Sequence, residues 1–141
     1  MNEQPISEFT EKYAAAVFGK DAGALLALYD EDVRIFDLWA VWAHEGAGPW
    51  RESVDAWFAS LGDQRVGVDF DDVRILVTDG LATLHAIITY RDIGLDDVEL
   101  DSMQNRLTWV FERRGSGWKI VHEHTSAPVD DKTLKVSLQR Y

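Results

Sequence analysis

"NRLTWVFERRGSGWKIVHEHTS", residues 105–126, is the stretch whose reading decides the fold. Two runs rich in Val, Ile, Thr and aromatics flank Gly115-Ser116-Gly117, the pattern of an antiparallel hairpin. A three-residue loop with Gly117 in the left-handed position is a common closure. It sets Phe111 opposite Val121, Trp109 opposite Glu123 and Leu107 opposite Thr125. That face is the more apolar and turns inward. Arg106, Thr108, Val110, His122, His124 and Ser126 share the other face.

Upstream the same alternation continues. In 81–91, Ala82, Leu84, Ala86, Ile88 and Tyr90 look inward, while Thr83, His85 and Thr89 look outward. Further strands fall at 66–70 and 73–78, and the hairpin strands span 102–113 and 118–126. Asp79-Gly80 and a loop near Gly94 separate them. Before Gly62 the texture is helical. Ile6, Phe9, Tyr13, Ala16 and Val17 follow helical spacing, and Pro5 and Gly19 mark the ends. Asp21 caps a short second helix with Leu25, Leu28 and Tyr29 on one side. A third helix starts at Pro49 and carries Trp50, Val54, Trp57, Phe58 and Leu61 at i, i+4, i+7, i+8 and i+11. A short strand, 33–37, lies between them. Helices followed by antiparallel strands make an α+β arrangement with the helices on one sheet face.

The chain's 141 residues fit one domain, with a core over about 6–127 and a tail at 128–141. Net charge is −11, with no offsetting basic cluster, so the surface repels nucleic acid and anionic membranes. There is no Cys, which removes disulfides, thiolate catalysis and Cys-ligated metal. "MNEQPISEF" has neither the basic start nor the apolar stretch of a secretory signal. No run approaches the ~18 apolar residues of a membrane span. A cytoplasmic protein is the expectation.

"VRIFDLW", residues 33–39, places a carboxylate among Phe36, Leu38 and Trp39. Asp37 either caps its own turn or points into a pocket, where lost hydration raises its pKa toward that of a working base. Glu123, inward beside Trp109 and Val121, either acts as an acid or second base, or reaches solvent or an Arg partner. Tyr13 lies on the apolar face of helix one, where tyrosines pack; its functional reading rests on pairing with Asp37. His122 and His124, with His85 nearby, have chelating spacing. No inward carboxylate completes a shell, so an interface or hydrogen-bonding role is favoured over a metal. "DIGLDDVELD" (92–101) lacks calcium-loop spacing and reads as a solvated loop. The chain calls for no cofactor.

"YDEDVRIFD" (29–37) resembles the Tyr-x-x-Asp-x-x-x-x-Asp segment of ketosteroid isomerases and SnoaL-like proteins. Residues 105–126 resemble the end of SnoaL-like domains and of the association domain of calcium/calmodulin-dependent kinases. The resemblance implies the cone-shaped nuclear transport factor 2-like fold, in which N-terminal helices and a curved antiparallel sheet enclose an apolar pocket, usually in a homodimer. It puts Asp37 at the general base of ketosteroid isomerases and Tyr13 at the oxyanion donor. The partner acid of that oxyanion hole would fall near Leu107 or Trp109, which cannot supply it, so steroid isomerisation itself is disfavoured. The kinase family's inward arginines fall on Ala86, Trp109 and Thr125, which disfavours an anionic ligand.

On this reading the sheet lines the pocket with Ala86, Leu107, Trp109, Phe111, Val121 and Thr125. Phe36 and Trp39 line it from the first strand, and Trp57 from the third helix. The resulting expectation is an enzyme that removes a proton beside the carbonyl of an apolar small molecule, as an isomerase, cyclase or dehydratase would. The rival is a non-catalytic module that binds a small ligand or assembles protomers.

Overall fold

The structure is a computed structural model that describes residues 2–140. Its helices are α1 (Gln4–Phe18), α2 (Ala22–Leu26) and α3 (Ala47–Ser60). Its strands are β1 (Tyr29–Phe36), β2 (His44–Glu45), β3 (Arg65–Val77), β4 (Leu81–Ile93), β5 (Glu99–Arg114) and β6 (Gly117–Ser126), forming one sheet ordered β2-β1-β6-β5-β4-β3. All neighbours are antiparallel except β1 and β6, which run parallel, so the curved sheet is mixed. No helix among the described residues is long and apolar enough to cross a membrane.

The apolar stripe of α1 lands where its spacing directs it. Ile6, Phe9, Tyr13, Ala16 and Val17 are buried, and the Phe9 ring meets the edge of Phe111 with centroids 4.8 Å apart. Each such large side chain contributes about 1.5–3 kcal/mol of hydrophobic stabilisation. Asp21 caps α2 by accepting from the Ala24 N–H at 3.0 Å. On α3, Trp50, Val54 and Phe58 are buried. The segments 66–70 and 73–78 are one strand, β3, broken in register between Asp71 and Arg74, with Asp72 at φ 52°.

The hairpin corrects one expectation in detail. Arg114 pairs directly with Gly117, so the turn has two residues, and the left-handed glycine is Gly115 at φ 62°, not Gly117. Phe111 therefore faces Ile120 instead of Val121. A bulge at Val121 then restores the expected pairs: Trp109 faces Glu123 and Leu107 faces Thr125. The tail also packs on the sheet. Where β5 extends beyond β6, the Gln104 N–H donates to the Leu138 carbonyl and Gln139 donates to the Ser102 carbonyl.

Candidate functional site

β1 ends at Phe36, and the chain turns away there, leaving Asp37 beside Thr125 on the neighbouring strand. The Thr125 hydroxyl donates to Asp37 Oδ1 at 3.1 Å and accepts from the Leu38 N–H at 2.8 Å. Asp37 is half-buried and lines a cavity of about 410 Å³. Burial raises its pKa above the ordinary carboxylate value. The Thr125 hydroxyl, the charge of His44 and the backbone N–H groups of Trp39 and Leu38 oppose that rise. Its own turn steadies the carboxylate, which reaches the cavity.

Glu123 lies one row deeper on β6 and is 2% exposed. Its Oε1 accepts from the Tyr29 hydroxyl at 2.5 Å and from the Trp109 indole N–H at 2.8 Å. Burial pushes its pKa up to about 7 despite those two donors, and the nearby charge of Asp37 adds to the rise. Glu123 also lines the cavity, and no described group donates to its second oxygen. It is thus held at one oxygen and open at the other, with protonated and ionised forms both accessible near neutral pH.

Tyr13 reaches the same cavity from α1. Its hydroxyl lies 2.8 Å from that of Tyr90, and burial holds both phenols well above their ordinary pKa. Such a pair can donate a hydrogen bond into the cavity without ionising. Trp50 and Trp57 of α3 and Trp39 of the loop after β1 supply apolar walls, and Thr125 completes the wall beside Asp37.

Several residues expected on the wall are elsewhere. Phe36 follows inward Ile35 and so points to the outer sheet face, where it packs on His122 and His124 beneath the Arg34 guanidinium. Val121 is the extra residue of the bulge, and Ile120 takes the inward place. Ala86, Leu107, Trp109 and Phe111 do face inward and are buried, but they do not line the cavity; Phe9 and Tyr13 of α1 pack on Phe111 and Trp109. Trp109 acts through its N–H to Glu123. His85 lies on the outer face, and His122 Nδ1 is 2.7 Å from the Arg34 carbonyl. Among the described residues, no group of three or more His, Asp or Glu could hold a metal ion.

Several residues that line the cavity escaped the sequence reading as participants, Ser53, Tyr90, Asp92 and Asn105 among them. Tyr90 carried the right signal, since its alternation on β4 faced it inward. Asn105 carried a clearer one, a polar residue in phase with Leu107 and Trp109. Trp50 is also notable: its buried indole N–H lies near the Tyr29 hydroxyl and slightly lowers that phenol's otherwise raised pKa, without reaching hydrogen-bond geometry.

Helices on one face of a curved mixed sheet, with a cavity between the layers, define the nuclear transport factor 2-like class. Within that class, the SnoaL-like domain family matches residues 6–130, and the chain belongs to it. No curated protein matches the chain. Solved structures share the fold. A nuclear transport factor 2-like protein of unknown function from Pseudomonas putida has a TM-score of 0.87 at 23% identity, covering 99% of this chain and 95% of that one. A nuclear transport factor 2-like protein with a cystatin-like fold from Novosphingobium aromaticivorans has a TM-score of 0.76 at 18% identity, covering 94% and 85%. A candidate calcium/calmodulin-dependent protein kinase II association domain from Xanthomonas campestris has a TM-score of 0.76 at 16% identity, covering 91% and 89%.

Proposed function

We propose that the protein is a cofactor-independent acid–base enzyme acting on an apolar carbonyl compound. The observation that carries this reading is that Asp37, Glu123 and Tyr13 line one cavity walled by tryptophans. The Asp37 carboxylate takes a proton from the carbon beside the carbonyl. The C–H electron pair moves to the carbonyl oxygen, and the enolate so formed accepts from the Tyr13 hydroxyl, itself held by Tyr90. Glu123, protonated in part at neutral pH, returns a proton to carbon or to a departing hydroxyl. Isomerisation, cyclisation and dehydration all begin with the first of these steps.

That step is testable without the natural substrate. Tetralone, a two-ring ketone, should exchange the protons beside its carbonyl with deuterium oxide faster in the presence of the protein. Asp37→Asn keeps the shape and should slow this exchange by roughly 10²–10⁴. Unchanged exchange in a folded Asp37→Asn protein would overturn the reading in favour of a ligand-binding module.

We also propose that two copies pair through the outer sheet face bearing His85, His122 and His124. Half-exposed Val110 and Thr108 between them favour cover by a second copy. Sedimentation equilibrium at high micromolar concentration should give a dimer; a monomer would exclude this contact.

A further inference from the structure

Asn105 sits on the inward face of β5, opposite Ile88 and in phase with Met103 and Leu107. It is 6% exposed and lines the same cavity as Asp37 and Tyr13. Yet its Oδ1 is buried without a hydrogen-bond partner among the described residues. A buried amide left unsatisfied destabilises the folded state, and native cores rarely tolerate one without a use for it. A position that only had to fill space here would suit Leu or Met, as its neighbours do.

We propose that Asn105 is a specificity-determining residue whose amide receives a hydroxyl group of the ligand. The cavity then takes a hydroxylated carbonyl compound, with its carbonyl at Asp37 and Tyr13 and its hydroxyl at Asn105. The placing of the carbonyl rests on the acid–base reading above. A hydroxyl fits better than a second carbonyl because it both donates and accepts, and so meets the amide in either orientation. The terminal torsion of Asn is broad, so the amide can turn toward an arriving group at small cost.

The sheet register sets the span. Asp37 neighbours Thr125, which pairs with Leu107, two residues from Asn105 along β5. Asp37 and Asn105 are therefore two strands and one inward row apart, about 10 Å across and about 7 Å along the sheet. Side chains reaching into the cavity narrow that gap to the length of a small fused-ring skeleton.

Hydroxytetralone, with its carbonyl and phenol on opposite rings, and tetralone form the matched pair of probes. Binding is read from quenching of the tryptophans that line the cavity, alongside thermal melts. The wild-type protein should bind hydroxytetralone about tenfold more tightly than tetralone. Asn105→Leu should bind the two equally and melt at the wild-type temperature or above, and Asn105→Ala should also lose the preference. Equal binding of both probes by the wild-type protein would overturn the proposal. So would a preference that survives in Asn105→Leu or Asn105→Ala, or a folded Asn105→Leu that melts several degrees lower. Neither readout involves proton exchange. An Asp37→Asn protein that fails to slow exchange while Asn105 still selects the hydroxyl separates failure of the acid–base reading from failure of this one.

Discussion

Thr125 links Asp37 to the backbone: its hydroxyl donates to the Asp37 carboxylate and accepts from the Leu38 N–H. One side chain thus fixes the carboxylate's direction and the turn that follows it. Thr125→Val keeps the shape and removes both bonds. Leaving the Leu38 N–H without an acceptor should destabilise the protein by about 1–3 kcal/mol, visible as a drop in melting temperature. The Thr125 bond lowers the Asp37 pKa, so its loss should raise it further. The acid limb of the exchange-rate profile should move to higher pH. A variant with an unmoved acid limb would show that Asp37 is not the group titrating there.

Glu123 gives a pH signature in stability. Its folded-state pKa of about 7 lies above the ordinary 4.5. Between those values the folded protein keeps a proton that the unfolded chain has released, so stability falls as pH climbs through the window and levels off above it. Glu123→Gln lacks this term. Relative to the variant, the wild-type protein should lose on the order of 3 kcal/mol between pH 4 and pH 8. Parallel melting curves for the two proteins across that range would mean that folding does not raise the Glu123 pKa.

The Tyr13–Tyr90 pair predicts unequal effects from equal-looking changes. Tyr13→Phe removes the donor proposed for the enolate and should slow exchange by roughly 10²–10³. Tyr90→Phe removes only the hydroxyl that orients Tyr13, and should slow it by about tenfold. Burial raises both phenols above the ordinary 10.0, so neither should add an alkaline limb below about pH 10. Equal losses from the two variants would assign the contact with the reacting oxygen to both hydroxyls.

Periodicity made most of the fold readable. The stripe from Ile6 to Val17, the Asp21 cap and the inward run from Ala82 to Tyr90 depend on local spacing, and spacing is visible in a sequence. Asp37, Tyr13 and Glu123 were legible as residues because each places a polar group on an apolar face. What each of them touches was not. The Thr125 bridge to Asp37 depends on β1 lying parallel to β6, a pairing that no turn announces. The Tyr13–Tyr90 bond joins residues 77 apart in the chain. The expected place of Phe36 on the pocket wall fails on strand alternation: Ile35 is inward, so Phe36 faces outside. In the loop after it, Trp42 is 97% exposed although its sequence neighbourhood is apolar.

The hairpin offers the sharpest test of register. The segment has one residue more than a regular two-residue hairpin needs to set Trp109 opposite Glu123. That residue can be absorbed at Gly117, in a three-residue loop, or further along the strand. In the structure it is Val121, and the choice decides which side chain enters the core. With the bulge at Val121, Ile120 faces Phe111 and is fully buried, its N–H donating to the Leu28 carbonyl at 2.9 Å. The alternative would bury the smaller Val121 and expose the isoleucine. Burying the larger side chain removes more apolar surface from water, which favours the bulge. Ile120→Ala should therefore cost about 2–5 kcal/mol, while Val121→Ala should cost under about 1 kcal/mol. Deleting Val121 should leave a regular ladder with Ile120 and Glu123 still facing inward, so the shortened chain should fold with a modest loss of melting temperature. Denaturant midpoints for the three variants measure this directly. A larger loss from Val121→Ala than from Ile120→Ala would place the extra residue in the turn.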